Sequence, residues 1–138
     1  MIYDILEKKL ADAAIGLAPG KSIFREAMPG NCKKGVMFKG PLGGIPIDPY
    51  IEGYHKGKLQ AIVRHTDPVL GEKLANQVIK ALIVDAPQLF EATADRGPAE
   101  IKRLFPAQLP IKFPLLEGNM IEWSLNFDVA FALQPAWR

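Results

Sequence analysis

The alternation of apolar and polar residues from Asn119 to Gln134 is the feature that most constrains the fold. Seven apolar side chains occupy every second position there, namely Ile121, Trp123, Leu125, Phe127, Val129, Phe131 and Leu133. A period of two predicts a β-strand whose apolar side chains all leave from one face. Helices or a second sheet must cover that face, while the other face can meet solvent or another protein.

Residues Tyr54 to His65 alternate in the same way and predict a second half-buried strand. Its core face carries Leu59, Ala61 and Val63. The outer face carries Lys56, Lys58, Gln60, Ile62 and Arg64. We therefore expect the outer surface of this strand to be basic.

Two helices are predicted to cover the sheet. The first spans roughly residues 2 to 16, with an apolar stripe of Ile2, Ile5, Leu6, Leu10, Ala13, Ala14 and Leu17. The second begins at Asp67-Pro68, a capping carboxylate followed by a proline at the first helical position, and ends near Val84. Its predicted core stripe is Leu70, Leu74, Val78, Ala81 and Leu82.

The remaining elements are short strands. Ser22 to Met28 and Gly35 to Lys39 are predicted to pair as a hairpin around Pro29-Gly30-Asn31, and Asp95-Arg96-Gly97-Pro98 is predicted to turn between Gln88 to Thr93 and Glu100 to Phe105. Prolines make Ala107 to Leu116 extended and edge-like, and Glu117-Gly118-Asn119 turns into the last strand. This order predicts an α+β fold, a mainly antiparallel twisted sheet with two main helices packed on one face, in a single domain of residues 1–138.

Residues Gly40 to Gly53 are predicted to form a long loop, since they hold three prolines and four glycines. Five large apolar side chains are interleaved with them: Leu42, Ile45, Ile47, Tyr50 and Ile51. Loops of this length in a small domain are usually functional or disordered, and the apolar content argues against disorder. We expect an arm that buries its apolar side chains against something, for example a neighbouring subunit.

Composition excludes several classes of protein. The only cysteine, Cys32, cannot form an internal disulfide, which favours a reducing, intracellular setting. The charged N-terminal helix is not a signal peptide, and no apolar run reaches membrane-spanning length. The net charge is +2, but residues 21 to 64 carry +5 and the rest −3, so we expect one basic surface, most simply a solvated face.

Catalytic and cofactor-binding patterns are not recognisable. Residues 16 to 22 resemble a phosphate-binding loop, but the glycine spacing is one residue short and a helix precedes them. His55 and His65 are ten residues apart on one strand, too far to share a metal ion. We therefore predict no enzyme, no cofactor and no metal site.

Several segments together resemble the tail terminator (tail-completion, or minor capsid) proteins of long-tailed bacteriophages. They are Ile47-Asp48-Pro49, Gly53-Tyr54, residues Gln60 to Arg64 and residues Glu117 to Phe127, within a likeness that covers roughly residues 1 to 133. The resemblance implies a small α/β unit whose protomers assemble, usually as a hexamer, into a ring on the head-proximal end of the tail tube. Such a ring stops tube polymerisation and joins the tail to the head connector.

The resemblance also implies partners: other copies of the chain, the tail tube protein and the head–tail connector protein, with no membrane and with DNA passing through the ring without specific binding. Localisation would be the virion tail, after assembly in the host cytoplasm. We predict a subunit or tube contact at Pro46, Asp48, Tyr50 and Tyr54. We predict a basic surface at Lys56, Lys58 and Arg64.

Other functions remain open at this stage: a head-completion or neck protein of the same connector, a small nucleic-acid-binding module, a hydrolase with a hidden cluster, or a protein–protein module outside any phage. The last strand adds a geometric expectation. Over its predicted length it would span about 50 Å, whereas a compact chain of this size is roughly 37 Å across. It should therefore be bent, for example by a bulge, or shared with a neighbour.

Overall fold

A computed structural model describes residues 2–113 and 119–134. The elements in the described part are α1 Tyr3–Asp12, β1 Ile23–Arg25, β2 Gly35–Lys39, β3 Tyr54–His65, α2 Pro68–Leu82, β4 Gln88–Phe90, β5 Ala99–Pro106, β6 Ile111–Lys112 and β7 Ile121–Leu133. All strands lie in one sheet of order β1-β2-β3-β7-β5-β4, and β6 also pairs with β7. The predicted α+β class is confirmed.

Strand β7 lies at the centre of the sheet. It pairs antiparallel with β3 over twelve consecutive residue pairs, from Tyr54 opposite Ala132 to His65 opposite Ile121. All seven apolar side chains predicted for its core face are buried, so the predicted strand and its orientation are confirmed. It begins at Ile121, not at Asn119, since Asn119 has a positive φ of 60° that a strand cannot accommodate.

The expected bend of β7 does not come from a bulge against β3, because the register between these strands has no shift. The whole sheet is strongly curled instead. A register shift lies on the other side of β7, in β5 between Ile101 and Arg103. This β-bulge lets Ile101 and Leu104, which are an odd number of residues apart, both face the core.

The predicted hairpin of β1 and β2 is wrong, because the two strands are parallel, with Ile23 opposite Val36 and Arg25 opposite Phe38. The sheet is therefore mixed and not mainly a twisted antiparallel one. Alternation tells which face a side chain occupies but carries no information on strand direction. The loop after β1 is long enough to carry the chain back, and Arg64 Nη1 binds it by donating to the carbonyls of Pro29 (2.8 Å) and Cys32 (3.2 Å).

Helix α2 begins as predicted. The Asp67 Oδ1 atom accepts the backbone N–H groups of Val69 (2.8 Å) and Leu70 (2.9 Å), and Pro68 is the first helical residue. The predicted core stripe is partly wrong, since Leu70 is 52% exposed and the buried residues are Gly71, Leu74, Ala75, Val78 and Leu82. Leu74, Val78 and Leu82 are buried as predicted, but the buried face extends to Gly71 and Ala75 instead of Leu70, and Gly71 lies directly against the indole ring of Trp123.

Helix α1 buries Ile2, Ile5, Leu6 and Leu10 but ends at Asp12, earlier than predicted. Ala13 and Ala14, predicted in the apolar stripe, are exposed, and Ala14 has a positive φ of 54°. Both helices contribute to a single core cluster with the apolar face of the sheet. The two helices therefore cover the face that the alternation of β7 left to be covered.

Polar side chains of α1 connect the two edges of the curled sheet. Glu7 forms an ion pair with Arg25 of β1, and Lys9 Nζ donates to Gln88 of β4 at 3.2 Å. Asp4 forms an ion pair with Arg96, whose Nη1 also donates to the carbonyls of Glu91 and Gly97 within the β4–β5 turn. One helix thus contacts both terminal strands of the sheet.

The predicted edge-like segment contains β6, where Ile111 lies opposite Ser124 and Lys112 opposite Trp123. Residues 114–118, which include the end of this segment and part of the predicted Glu117-Gly118-Asn119 turn, lie outside the described residues. The described part confirms an extended segment on the outer edge of β7.

The contact between Gly71 and Trp123 generates a prediction. A Cβ atom at position 71 would lie 2.1 Å from Trp123 Cη2. We expect Gly71→Ala to lower the free energy of unfolding by about 1–3 kcal/mol through overpacking, although alanine is the better helix former by roughly 1 kcal/mol. Urea unfolding would measure the change.

The control is the same substitution in a Trp123→Phe background, which removes the outer part of the indole. The cost of Gly71→Ala should then shrink, giving a coupling energy between the two sites. Equal costs in both backgrounds would contradict the packing account.

Candidate interaction surfaces

Residues 40–53 contain no helix or strand, which confirms the predicted loop, called the arm below. Four of its five apolar side chains are exposed: Leu42 fully, Tyr50 to 94%, and Ile47 and Ile51 each to more than half. Ile45 differs because it packs on the backbone of Gly57, where a Cβ atom would lie 3.2 Å from Ile45 Cγ2. The arm is therefore attached to the sheet at Ile45 and presents its other apolar side chains outward.

The four residues predicted to form a subunit or tube contact all lie in or next to the arm. Pro46 and Tyr50 are exposed, while Asp48 and Tyr54 are half-buried. Asp48 Oδ1 accepts the backbone N–H groups of Tyr50 (2.8 Å) and Ile51 (3.3 Å), so its carboxylate shapes the turn that displays Tyr50. The contact itself stays a prediction.

A polar network holds the first residue of the arm. The Tyr3 hydroxyl donates to Glu26, and Glu26 Oε1 also accepts the backbone N–H of Gly40 at 3.2 Å. Burial, followed by the bond to Glu26, raises the pKa of Tyr3 to about 12. The same bond from Tyr3 lowers the pKa of Glu26, assisted by the Gly40 N–H. The network therefore prefers a neutral phenol beside an ionised carboxylate.

The predicted basic surface carries less net positive charge than its three cations suggest, because acidic partners neutralise two of them. Arg64 forms an ion pair with Glu122 at 3.0 Å, and both side chains are largely covered. Lys58 forms an ion pair with Asp128 opposite it on β7. Among the described residues Lys56 has no ion pair, so it is the one cation of the three whose charge is not neutralised nearby.

A second apolar surface was not predicted. It consists of Phe105 (38% exposed), Leu109 (85%), Ile111 (41%) and Phe113 (39%), and is called the edge strip below. It follows the edge of β7 away from β3, since Phe105 lies opposite Asp128, Ile111 opposite Ser124, and the N–H of Phe113 donates to the carbonyl of Glu122. All four residues lie at odd positions between prolines, so an apolar period of two from Phe105 to Phe113 was the sequence signal that could have revealed the strip.

A concave groove of about 780 Å³ lies at the end of the sheet where β3 begins and β7 ends. Apolar side chains of Ile51, Tyr54, Leu89, Phe90 and Leu133 line it. The lining also includes three carboxylates, Glu52, Glu91 and Glu100, and one cation, Lys102. The groove is thus lined by apolar side chains and by more acidic than basic groups.

The two histidines have structural contacts. His55 Nε2 lies 3.1 Å from the carbonyl oxygen of Leu133, with its ring against Phe131, and His65 Nδ1 accepts the backbone N–H of Asp67 at 2.9 Å. In residues 2–113 and 119–134, no group of three or more His, Cys, Asp or Glu side chains is placed to hold a metal ion. No helix in this described part is long and apolar enough to cross a membrane.

Comparison with known proteins gives one family. A family model described as bacteriophage tail terminator protein matches residues 12–132. The matched region begins at the last residue of α1 and includes all of α2 and the strands from β1 to β6, ending one residue before the end of β7. No curated protein matches the chain.

The network at the base of the arm gives a pH-dependent prediction. Tyr3→Phe should lower the free energy of unfolding by about 1 kcal/mol near pH 7, since solvent weakens a partly exposed bond to a charged group. Because the pKa of Glu26 is lowered on folding, this contribution is present above pH 4.5 and is lost as pH falls through the lowered value. Because the pKa of Tyr3 is raised to about 12, the same contribution to stability is also lost as pH rises from about 10 to 12.

Urea unfolding of the wild type and Tyr3→Phe at several pH values would measure the difference between them. The difference should be largest between pH 5 and 9 and should narrow towards pH 3. A Glu26→Gln variant is the control, because removing Tyr3 from it should leave no acid-side pH dependence. A difference that stays constant from pH 7 to pH 3 would contradict this account.

Proposed function

The chain belongs to the family of bacteriophage tail terminator proteins, and from this premise we propose that it forms a ring on the head-proximal end of a phage tail tube. The family identifies it as a component of the virion tail. In our proposal the ring is a hexamer that stops tube polymerisation and joins the tail to the head connector. Assembly takes place in the host cytoplasm, before the tail becomes part of the virion.

The observation that carries the proposal is the extent of the family match. Residues 12–132 contain nearly the whole folded unit, so the likeness concerns the complete sheet and α2 and not a local motif. The exposed surfaces support the same function. The arm and the edge strip leave large apolar side chains in solvent, as expected of a protein whose final state is an assembly.

The mechanism we propose is capping by geometry. One face of the ring matches the last ring of tube subunits, and the opposite face lacks the surface that would recruit another tube subunit. Stacking contacts between identical rings continue indefinitely, whereas a ring with two different faces ends the series. The function therefore requires shape and surface chemistry, without a catalytic group, a cofactor or a metal ion.

Assembly state and tube length would test this function together. Native mass spectrometry and negative-stain images of the purified protein should show closed rings, with six protomers as the expected number. Adding these rings to polymerising tube protein from the same phage should shorten the tubes and leave protein density at one end only. A strict monomer at all concentrations, with no effect on tube length, would count against the proposal.

Rings that bind the head connector but leave tube length unchanged would instead favour a head-completion or neck protein. The same preparation distinguishes the two functions, because binding to the connector and capping of the tube are measured separately.

The basic residues of β3 give a prediction for the joining step. We expect Lys56→Glu with Lys58→Glu to reduce attachment of heads or tubes severalfold, because Lys56 has no ion pair within residues 2–113 and 119–134 and a glutamate at position 58 would face Asp128. Joining of purified heads and tails, counted in negative-stain images, would measure the effect. The control is Lys73→Glu, a charge reversal at an exposed position of α2. If the control and the double variant join heads and tails equally well, the basic residues of β3 have no role in joining.

A further inference from the structure

The arm is preorganised for contact with another molecule. It is held at both ends and in the middle: Gly40 by Glu26, Ile45 by Gly57, and Gly53 by a 2.7 Å hydrogen bond from the Leu133 N–H to its carbonyl. Between these points Leu42 and Tyr50 have almost no contact with their own protomer. An arm ordered in this way loses less conformational entropy on binding than a free loop would.

The edge strip offers a surface of matching character on the other side of β7. The arm joins β2 to β3, and β3 pairs with one edge of β7, whereas the strip follows β5 and β6 along the opposite edge. Leu109 at 85% exposure protrudes from the strip between Phe105 and Ile111. One protomer therefore carries two different apolar surfaces, separated by the central strand.

The charges of these two surfaces are complementary. The arm has two acidic residues and no basic one, whereas residues 103–113 have two basic residues, Arg103 and Lys112, and no acidic one. Asp48 in the arm has no ion pair among the described residues, and neither do Arg103 and Lys112 beside the strip. The Arg103 guanidinium lies over the Phe105 ring at 4.7 Å, so a cation and an aromatic face are presented together.

The groove at the start of β3 is a weaker receptor for the arm. Its lining includes Glu52, Glu91 and Glu100 against one cation, Lys102, so an acidic arm would meet charge of its own sign. The groove also lies against the end of the same arm, at Ile51 and Gly53. Charge therefore favours the edge strip over the groove.

From these observations we propose that the arm of one protomer packs on the edge strip of the next copy of this chain. Leu42 and Tyr50 meet Phe105, Leu109 and Ile111, while Asp48 approaches Arg103. The contact joins two different surfaces, so each protomer uses its arm once and its strip once. Contacts of this heterologous kind close into a ring when the rotation between copies allows it. The inference rests on the proposed ring and names the surfaces that build it.

Two sets of substitutions would test the contact. An arm variant carries Leu42→Asp and Tyr50→Asp, and a strip variant carries Leu109→Asp and Arg103→Glu. All four side chains are exposed, so both variants should keep the wild-type circular dichroism and unfolding midpoint. We expect each variant alone to lose its rings and run as a single protomer, with at least about a 30-fold weaker contact, as for a central interface residue.

Mixing the two variants gives the decisive result. An equimolar mixture should form a dimer and nothing larger, because one intact arm and one intact strip remain in each mixed pair. Native mass spectrometry with one variant isotopically labelled would identify the mixed dimer. Its dissociation constant should rise with ionic strength, because the contact joins opposite charges near solvent.

The matched control is Leu89→Asp, an 80% exposed leucine of the groove. It should leave the rings intact. Rings that disappear with Leu89→Asp but survive in the strip variant would overturn the proposal in favour of the groove. A dimer formed by the strip variant alone would show an arm-to-arm contact and would also overturn it.

Failure of this contact and failure of the ring give different results. If the wild type forms rings that cap tubes while the arm and strip variants do so equally well, the proposed function stands and this inference is wrong. If the wild type never assembles, the proposal that the chain forms a ring is wrong.

Discussion

The unbroken ladder between β3 and β7 is the constraint on which the rest of the structure depends. Twelve consecutive pairs set which side chains of both strands face the core, and a shift of one residue would expose the whole apolar face of β7. On the outer face, two ion pairs join residues that are directly opposite in this register, Arg64 with Glu122 and Lys58 with Asp128. Gln60, which lies opposite Asn126, donates diagonally to Ser124. The register is thus specified on both faces of the sheet.

The position of β7 between β3 and β5 also determines where the exposed surfaces lie. The arm leaves from the β3 side and the edge strip from the side of β5 and β6, so β7 separates them. Each surface is supported by a contact that the ladder orients: Ile45 packs on Gly57 opposite Val129, and Phe113 is hydrogen-bonded to Glu122. A rigid centre carrying two exposed apolar surfaces is suited to making contacts with neighbours in a fixed relative orientation.

The curl of the sheet brings its terminal strands to opposite flanks of α1, which contacts β1 through Glu7 and β4 through Lys9. Unpaired strand edges invite association with other chains, and covering them is a common protection. Here the terminal edges are held by a helix, while apolar exposure is concentrated in the arm and the strip. This distribution would favour one specific contact over general aggregation.

The sequence was most informative where a single physical effect decides the outcome. Burial of alternate side chains was enough to predict β3 and β7, and the capping carboxylate of Asp67 was enough to predict where α2 begins. Proline and glycine were enough to predict the arm. The resemblance seen in segments between Ile47 and Arg64 and in residues Glu117 to Phe127 agrees with the family found over residues 12–132.

Tertiary contacts decided what local patterns cannot encode. The parallel direction of β1 and β2 depends on the loop held by Arg64, and the face of α2 depends on the indole of Trp123 filling the space at Gly71. Partners distant in sequence also neutralise Lys58 and Arg64, and pairing with β7 places the edge strip along the side of β7 away from β3. By itself, then, the sequence determined which segments form the central strands and which must remain a loop, because backbone chemistry and burial act locally. Strand direction, helix rotation and the surfaces left for a neighbour were decided only in the folded chain, because they depend on contacts between segments far apart in the sequence.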